Sequence, residues 1–304
     1  MEDRFIGIKA FVTAIDKGSF TAAAETLGLT GSAIGKSIAK LEHRIGVQLL
    51  HRTTRRIDLT TEGEVYLASC RRIIEELDNT EAMLKAGHKK PVGRVRVDLP
   101  TTFGRKHILP TLLKLGADNP SLDFAVTFSD QAVDMVAEGI DVTVRIGLLD
   151  NYPDLIARKL GEQRLFICAA PSYLERNGIP QHLSDLANHD CMIGWRKARR
   201  QGWLIKTETG EMELTDINIR HELTDGDALL QACVQGCGLA QLPNWLAEPA
   251  IKAGILIPVL MEYSGGTMPI HVLWQKTWHL QPKVRVTIDA LTSLSELEAD
   301  IFSN

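Results

Sequence analysis

The feature of the sequence that most constrains its fold is a set of three helical patterns near the N-terminus. A helix predicted over residues 4–16 is followed by a shorter one over 22–27, for which Thr21 is the predicted cap. After the turn 29–31, apolar side chains recur at helical spacing over 32–45 and predict a third helix. Short helices joined by a tight turn are typical of a helix-turn-helix, whose last helix enters the major groove of DNA.

The segment that follows is basic, although the whole chain carries a net charge of −4. Residues 47–60 predict a wing, with two short strands around a basic tip at 52–56. Residues 28–60 contain six Lys and Arg against two acidic residues, so the remainder is acidic. A basic patch on an acidic body concentrates attraction for phosphate in one place, which predicts a nucleic-acid surface in the first 60 residues.

A long helix is predicted over residues 61–86, with Thr61 as its cap and acidic residues in its first turn. Its apolar positions keep a spacing close to heptads, in a stripe too narrow for a core helix. These positions are Tyr66, Cys70, Ile73, Leu77 and Leu84. The stripe predicts pairing with a second copy of the same helix, and the Gly- and Pro-containing stretch 87–93 predicts a hinge after it.

Beyond the hinge, predicted strands alternate with predicted helices, which favours an α/β architecture with mainly parallel sheets. The helices are expected near 106–116 and 132–138. The strands are expected at 95–99, 122–128, 142–146, 165–169, 217–221, 239–242 and 270–274.

Composition and motifs argue against several other classes of protein. No run approaches the roughly 18 apolar residues of a membrane span, and the N-terminus lacks a signal-peptide core, so we expect a cytoplasmic chain. No P-loop, dinucleotide fingerprint or HExxH pattern occurs, so we expect no enzyme activity, cofactor or metal. The five cysteines make no disulfide pattern. Cys233 and Cys237, four apart on a predicted helix, are interpreted as half-buried thiols, with a redox switch as the alternative.

Residues 18–63 carry a dense resemblance to a known family. The segment GSFTAAAETLGLTGSAIGKSIAKLEHRIGVQLLHRTTRRIDLTTEG resembles the N-terminal signature of LysR-type transcriptional regulators. Later stretches are similar to the effector domain of the same family. They read GRVRVDLPTTFGRKHILP, GIDVTVRIG, TDGDALLQACVQGCGLAQLP and KVRVTIDAL. The resemblance therefore covers nearly the whole chain.

The resemblance implies a winged helix-turn-helix over residues 1–60 and a linker and dimerisation helix with hinge over 61–92. It also implies a type 2, periplasmic-binding-protein-like effector domain over 93–304. The first α/β lobe of that domain would take 93–161 and 266–304, and the second 162–265. Such a regulator would bind an interrupted inverted repeat as a dimer of dimers and respond to a small molecule, expected to be an anionic metabolite. RNA polymerase is a further candidate partner.

Helix faces and resemblance together select candidate DNA contacts in the third helix. Because its apolar positions face inward, polar residues remain on the outer side. Lys36 is the best candidate reader of a base or a phosphate, and Ser32 at the helix start can meet a phosphate. Thr30 and Lys40 complete this set. Gly31 departs from the family pattern, where a polar side chain is common.

Gly35 also departs from that pattern, since serine is common there. The two departures imply either altered sequence preference through closer backbone approach, or relaxed readout. In the wing, Arg55 is expected in a narrow minor groove, because a guanidinium responds to the negative potential there. Arg52 and Arg56 are expected to contact phosphates or to pair with Asp58. Thr53 and Thr54 are also expected to donate to phosphates.

The effector site is expected between the lobes, where loops leave the carboxyl ends of strands. Thr101 and Thr102 follow the first strand and precede a helix, which suits them to bind an anion. Ser129 follows the second strand in the same manner. Arg145 ends the third strand and has two open readings, a carboxylate of the effector or a salt bridge such as one with Asp141.

The second lobe contributes the remaining candidates. Gly194 and Trp195 follow a short strand, and Thr224 and Asp225 open the predicted helix that carries Cys233. Phe103 and Trp195 are predicted either to cover an apolar or aromatic effector or simply to belong to the core. The basic residues within 196–200 are interpreted as a solvated loop, with recruitment of an anionic effector as the alternative.

Two other functions compete with gene regulation. An enzyme would reveal itself by turnover of a metabolite, and no catalytic motif favours it. A transport receptor would bind ligand without DNA, and the basic N-terminal unit argues against it.

Overall fold

The computed structural model describes residues 2–51, 57–85, 90–149, 153–194, 202–207, 211–264, 266–276 and 281–302. The chain divides into two compact units, Met1–His88 and Lys89–Asn304. Among the described helices, none is both long and apolar enough to cross a membrane.

The N-terminal unit begins with the three predicted helices, α1 (Glu2–Lys17), α2 (Phe20–Leu27) and α3 (Gly31–Ile45). The cap of α2 is Ser19, whose Oγ accepts a hydrogen bond from the Thr21 backbone N–H at 3.2 Å. The prediction that Thr21 is the cap was therefore wrong, because the helix starts earlier than its apolar pattern. The turn between α2 and α3 uses Gly28 in the left-handed conformation, with φ of 66°.

The core of this unit forms where the helices converge. Phe11, Ile34 and Leu41 are fully buried there, and Leu49 joins them from the segment after α3. Burial of each such side chain contributes about 1.5–3 kcal/mol to folding. This packing fixes which side of α3 faces the solvent.

The predicted wing is pinned at its base. Leu50 and Leu59 form an isolated antiparallel bridge in place of the two predicted strands. The carboxylate of Glu42 accepts hydrogen bonds from the backbone N–H groups of Leu49 and Leu50 at 2.7 and 3.1 Å. The basic tip at 52–56 lies outside the described residues.

The long helix α4 spans Thr61–Lys85. Its cap is Thr60, whose Oγ1 accepts from the Gly63 N–H at 2.9 Å, so the prediction of Thr61 was wrong by one residue. Gly63 allows the helix to pass close to the wing, since a Cβ there would lie 2.1 Å from the Leu49 carbonyl oxygen.

The heptad stripe of α4 has two parts. Tyr66 and Cys70 pack into the core of the N-terminal unit, and Tyr66 lies against the ring of Phe11 with centroids 5.9 Å apart. Ile73, Leu77 and Leu84 are 48%, 42% and 55% exposed. Only the C-terminal part of the predicted pairing stripe is therefore open at the surface of this chain.

The C-terminal unit is a mixed α/β structure. Its strands are β1 (Gly93–Leu99), β2 (Leu122–Phe128), β3 (Val142–Ile146), β4 (Leu155–Ala169), β5 (Cys191–Gly194), β6 (Trp203–Lys206), β7 (Met212–Thr215), β8 (Ile219–Leu223), β9 (Leu239–Pro243), β10 (Ile257–Val259) and β11 (Thr267–Gln275). Its helices are α5 (Thr101–Phe103), α6 (Leu109–Asp118), α7 (Met135–Glu138), α8 (Pro171–Asn177), α9 (Gly226–Val234), α10 (Asn244–Lys252), α11 (Pro282–Leu297) and α12 (Ala299–Phe302). A π-helical turn, Gly104–Ile108, joins α5 to α6, and a 3₁₀ segment spans Leu183–Asn188.

The sheet runs in the order β2-β1-β3-β11-β4-β9-β5-β8, with β10 pairing to β4. Strands β1, β2 and β3 are parallel, as are β5, β8 and β9, whereas β4 and β11 are antiparallel to their neighbours. The prediction of mainly parallel sheets was therefore wrong. Strand β11 inserts between β3 and β4, and both β11 and β4 pair antiparallel with every neighbour.

Two lobes share the long strand β4. Its first part pairs with β11 in the first lobe, and its last residues pair with β9 and β10 in the second lobe. Both lobes have buried apolar clusters. One lies around Phe103 and Leu112 in the first lobe, and two separate ones lie around Ile167 and around Met192 in the second. A small hairpin, β6–β7, lies beside the second lobe as a separate sheet.

Two predicted details of the second lobe changed. Cys233 lies in α9 and is fully buried, but Cys237 follows the end of that helix and is only half-buried. A hydrogen bond with Cys168, and after it burial, raise the pKa of the Cys233 thiol far above its ordinary value. A thiol in this state is a weak nucleophile, which disfavours the redox alternative at this position.

Candidate DNA-contacting surface and interlobe cavity

The outer face of α3 carries the helix residues predicted to contact DNA. Ser32, Lys36 and Lys40 are exposed on it, while Ile34 and Ile38 are buried beneath. Thr30 precedes the helix, and its Oγ1 accepts from the Ala33 N–H at 3.2 Å. The hydroxyl proton of Thr30 is thus left to donate to an acceptor outside the helix.

Both glycines of the recognition segment have space around them. A Cβ at Gly35 would meet no heavy atom within 4 Å, and a Cβ at Gly31 would lie 3.9 Å from the nearest one. Neither glycine is therefore required by packing in this chain. The missing side chains affect the face of α3 and not its fold.

The wing candidates Arg52, Thr53, Thr54, Arg55 and Arg56 lie outside the described residues. The structure does describe the contacts that hold the start of this wing. Sequence reasoning counted Glu42 only as an acidic charge, whereas its carboxylate fixes the start of the wing through two backbone hydrogen bonds. The available signal was an acidic residue seven positions before Leu49.

A cavity of about 910 Å³ lies between the two lobes of the C-terminal unit. It is lined by the predicted residues Thr102, Phe103, Ser129, Arg145, Gly194, Thr224 and Asp225. Thr101 is not one of the lining residues, but its backbone N–H donates at 3.2 Å to Oδ1 of Asp130, which does line the cavity. Trp195 and the basic residues of 196–200 lie outside the described residues. The structure thus brings candidates from both lobes to one cavity.

Thr102 bridges the lobes at the base of this cavity. Its Oγ1 accepts from the Gly226 N–H at 3.0 Å and donates to Asp225 Oδ2 at 3.3 Å. Asp225 is also the cap of α9, accepting from the Ala228 N–H at 2.9 Å. The two predicted residues Thr102 and Asp225 are therefore hydrogen-bonded to each other across the two lobes.

Charged side chains extend this bridge. Arg105 and Lys106, in the π-helical turn of the first lobe, lie 2.6 and 3.0 Å from the carboxylate of Asp227 in α9. Desolvation raises the pKa of Asp227, but the hydrogen bonds from Lys106 and Arg105 outweigh it and hold the pKa below its ordinary value. The π-helical turn needs Gly104, since a Cβ there would lie 2.4 Å from Leu99 Cβ.

Arg145 pairs with an unpredicted partner. Its guanidinium lies 2.5 Å from Asp98 Oδ2, and the Asp98 side chain is only 2% exposed. The suggested pair with Asp141 was wrong, because four residues along a strand span about 13 Å. Asp141 instead accepts from the Arg96 N–H at 2.8 Å. Arg145 still lines the cavity, but with its charge balanced.

Aromatic residues divide between core and cavity wall. Phe103 is fully buried, with its ring edge-on to Trp245 and Phe302, so its primary role is packing. Trp245 lines the cavity and its Nε1 donates to Gln163 Oε1 at 2.9 Å. Sequence reasoning selected neither Trp245 nor Gln163, because no local pattern marks them.

The hairpin β6–β7 forms an apolar wall that sequence reasoning also missed. Leu204, Met212 and Leu214 line the cavity from this hairpin. The side chain of Gln241 in β9 holds the hairpin, accepting from the Leu204 N–H at 3.0 Å and donating to the Leu204 carbonyl at 2.8 Å. Sequence reasoning missed this hairpin because its two strands, Trp203–Lys206 and Met212–Thr215, are only four residues long.

In the part of the chain that the structure describes, no cluster of His, Cys, Asp and Glu is arranged to hold a metal ion. The geometry therefore consists of a polar, exposed helix face in one unit and a largely apolar cavity between two lobes in the other.

Comparison with known proteins assigns both units. Residues 7–64 match the family model of the bacterial regulatory helix-turn-helix proteins of the lysR family. Residues 88–295 match the family model of the LysR substrate binding domain. An HTH-type transcriptional repressor of Pseudomonas aeruginosa is 30% identical, over 96% of this chain and 92% of its own length.

Two solved structures are similar along nearly the whole chain. The virulence activator AphB of Vibrio cholerae has a TM-score of 0.64 at 25% identity and covers 94% of this chain and 98% of its own. CrgA of Neisseria meningitidis has a TM-score of 0.61 at 29% identity, with coverages of 95% and 98%. These relatives are transcriptional regulators and not enzymes. The chain thus belongs to the LysR-type family of transcriptional regulators, with a DNA-binding helix-turn-helix and an effector-binding domain.

Proposed function

We propose that the chain binds an interrupted inverted repeat in double-stranded DNA as a dimer of dimers. The observation that carries this proposal is the exposed face of α3 with Lys36 and Lys40, beside a wing whose sequence is basic. One such helix covers only one half-site, so a repeat requires at least two copies. The exposed apolar residues of α4, Ile73, Leu77 and Leu84, support pairing through that helix.

In the same proposal, a small molecule with a negative charge binds in the interlobe cavity and changes the geometry of the bound oligomer. The cavity volume lies within the usual range for small-molecule sites. Arg145 supports an anion there, because its side chain lines the cavity and is not fully buried. The oligomer on DNA would then present its surface to RNA polymerase.

Footprinting with DNA upstream of the chain's own gene tests the DNA-binding part. Lys36→Ala should weaken binding, by about 1–3 kcal/mol if Lys36 reads a base, or with a salt slope reduced by about one if it contacts a phosphate. Lys114→Ala, which removes the same charge from an exposed position of the C-terminal unit, is the control. Failure of the unchanged chain to protect any upstream site at moderate salt would refute the proposal.

Light scattering coupled to gel filtration tests the pairing of α4. Leu77→Asp should shift the chain toward monomer, since it places a charge in the proposed apolar seam. Leu297→Asp, at a position that is 84% exposed in α11, is the matched control and should leave the oligomer unchanged. An unchanged mass for Leu77→Asp would contradict pairing through α4.

A further inference from the structure

Three groups at or beside the interlobe cavity each donate a hydrogen bond to one of the protein's own acids. The Thr101 N–H donates to Asp130, and the Thr102 hydroxyl donates to Asp225. The Arg145 guanidinium donates to Asp98. The groups that the sequence marks for an anion therefore meet carboxylates of the chain itself.

The charges around the cavity do not favour a highly charged ligand. Among the described lining residues, the charged ones are Arg145, Asp130 and Asp225. Arg145 has five N–H donors, and its described hydrogen bonds go to Asp98, Val144 and Ser129. It retains the capacity to bind one carboxylate. A second negative charge would meet two aspartates without a further described cation.

One wall of the cavity is apolar. Leu204, Met212 and Leu214 present it from the β6–β7 hairpin. The two hydrogen bonds between Gln241 and the Leu204 backbone hold this wall in position. A wall held in this way suits a rigid apolar group, because contact area forms without ordering a mobile loop.

From these observations we infer that the cavity takes a ring- or alkyl-bearing molecule with at most one negative charge, whose apolar part packs on the β6–β7 hairpin. This inference rests on the proposed effector site and specifies its ligand class. The polar end of the ligand meets Arg145 and Ser129, and Met212 contacts its apolar part. We therefore expect dicarboxylates and phosphates to bind this cavity poorly, because each carries more than one negative charge.

Calorimetric titration of the full chain with four probes tests the inference. The probes are 3-phenylpropanoate, its neutral amide 3-phenylpropanamide, the dianion phenylsuccinate, and succinate, which lacks the ring. We expect the first two to bind within about tenfold of each other, and phenylsuccinate to bind roughly tenfold more weakly. Succinate should show no binding. The inference is overturned if either dicarboxylate binds as tightly as 3-phenylpropanoate, or if neither singly charged nor neutral ring-bearing probe binds at millimolar concentration.

Two matched variants locate the bound ring. Met212→Gln keeps the side-chain length but places an amide in the hairpin wall, and should weaken 3-phenylpropanoate binding by roughly tenfold. Met261→Gln makes the same change at an exposed position away from the cavity lining and should have no effect. Equal affinities for the two variants would place the ring elsewhere and overturn the role of the hairpin.

A negative result in these titrations can be distinguished from a failure of the proposed DNA binding. They measure ligand affinity without DNA, whereas footprinting measures DNA binding without ligand. A chain that protects no DNA but prefers ring-bearing monoanions would refute the regulator proposal and leave the ligand class intact.

Discussion

At the scale of single residues, Gly35 in α3 is a position where recognition can be changed without disturbing the fold. A Cβ there meets no neighbour within 4 Å. Serine is less unfavourable than glycine inside a helix, so we predict that Gly35→Ser raises the free energy of unfolding by about 0.5 kcal/mol. The new hydroxyl should also change discrimination among operator sequences. Thermal unfolding and binding titrations measure the two effects.

Gly63→Ser is the natural control for this substitution. A Cβ at Gly63 would lie 2.1 Å from the Leu49 carbonyl oxygen, so the same change should lower the melting temperature. If the two variants had similar melting temperatures, the steric account of both glycines would be wrong.

The pair of Asp98 and Arg145 gives a second prediction at this scale. Asp98→Asn leaves the guanidinium without its counter-charge in a largely buried setting, and we expect a loss of about 3 kcal/mol in urea unfolding. The double variant Asp98→Asn, Arg145→Gln should lose less than the sum of the two single variants, since neither charge remains unpaired. Simple additivity would contradict a direct interaction.

At the scale of elements, the bridge between the π-helical turn and α9 connects the two lobes through exposed charges. Because the folded-state pKa of Asp227 lies below its unfolded value, its stabilisation is present at neutral pH and is lost as pH falls through the lowered pKa. Its side chain is partly exposed, so we expect Asp227→Asn to cost less than about 1 kcal/mol.

Hydrogen exchange resolves this small effect. The Gly226 N–H, which donates across the bridge to Thr102, should exchange faster in Asp227→Asn than in the unchanged chain at neutral pH. This difference in exchange rate should disappear in acid, where Asp227 of the unchanged chain is protonated. Glu248→Gln removes a comparable exposed pair with Lys252 within one helix and is the control. Equal exchange at Gly226 in the two variants would show that Asp227 does not couple the lobes.

Elements defined by local periodicity could be predicted from the sequence, and contacts between distant segments could not. The buried face of α3, with Ile34 and Ile38, follows from helical spacing alone. The partner of Arg145 lies 47 positions earlier, on a neighbouring strand, and strand pairing decides it. The β6–β7 hairpin was missed because four-residue strands carry almost no alternation to read.

Capping was predicted only to within a residue or two. Ser19 and Thr60 act where Thr21 and Thr61 were expected, since several hydroxyl residues adjoin each helix start. The existence of an interlobe cavity could be predicted from strand ends and resemblance. Its chemistry could not, because the acids that occupy its donors come from other loops.

At the scale of the whole molecule, three histidines in the C-terminal unit should make stability depend on pH. His189 is buried, and His107 and His271 are half-buried. Burial lowers the pKa of His107, His189 and His271 below the ordinary value of 6.5. Their stabilisation is therefore present above the unfolded-state pKa and is lost as pH falls toward the lowered values, because the unfolded chain takes up protons first.

We predict that the free energy of unfolding falls between pH 7 and pH 5, as measured by urea titration. His107 packs between the rings of Phe103 and Trp245, with no partner for its Nε2 among the described residues. His107→Phe should make the free energy of unfolding depend less steeply on pH, because one of the three titrating histidines is removed. An unchanged slope would mean that His107 titrates alike in the folded and unfolded chain.

The position of β11 has a consequence for how the protein is made. The first lobe is complete only when β11 enters between β3 and β4, yet β11 leaves the ribosome roughly 120 residues after β3. At about 5–20 residues per second, the nascent chain holds an unpaired β3 edge for roughly 6–25 s. The second lobe can close during that delay, so the order of synthesis is opposite to the order in which the lobes become complete.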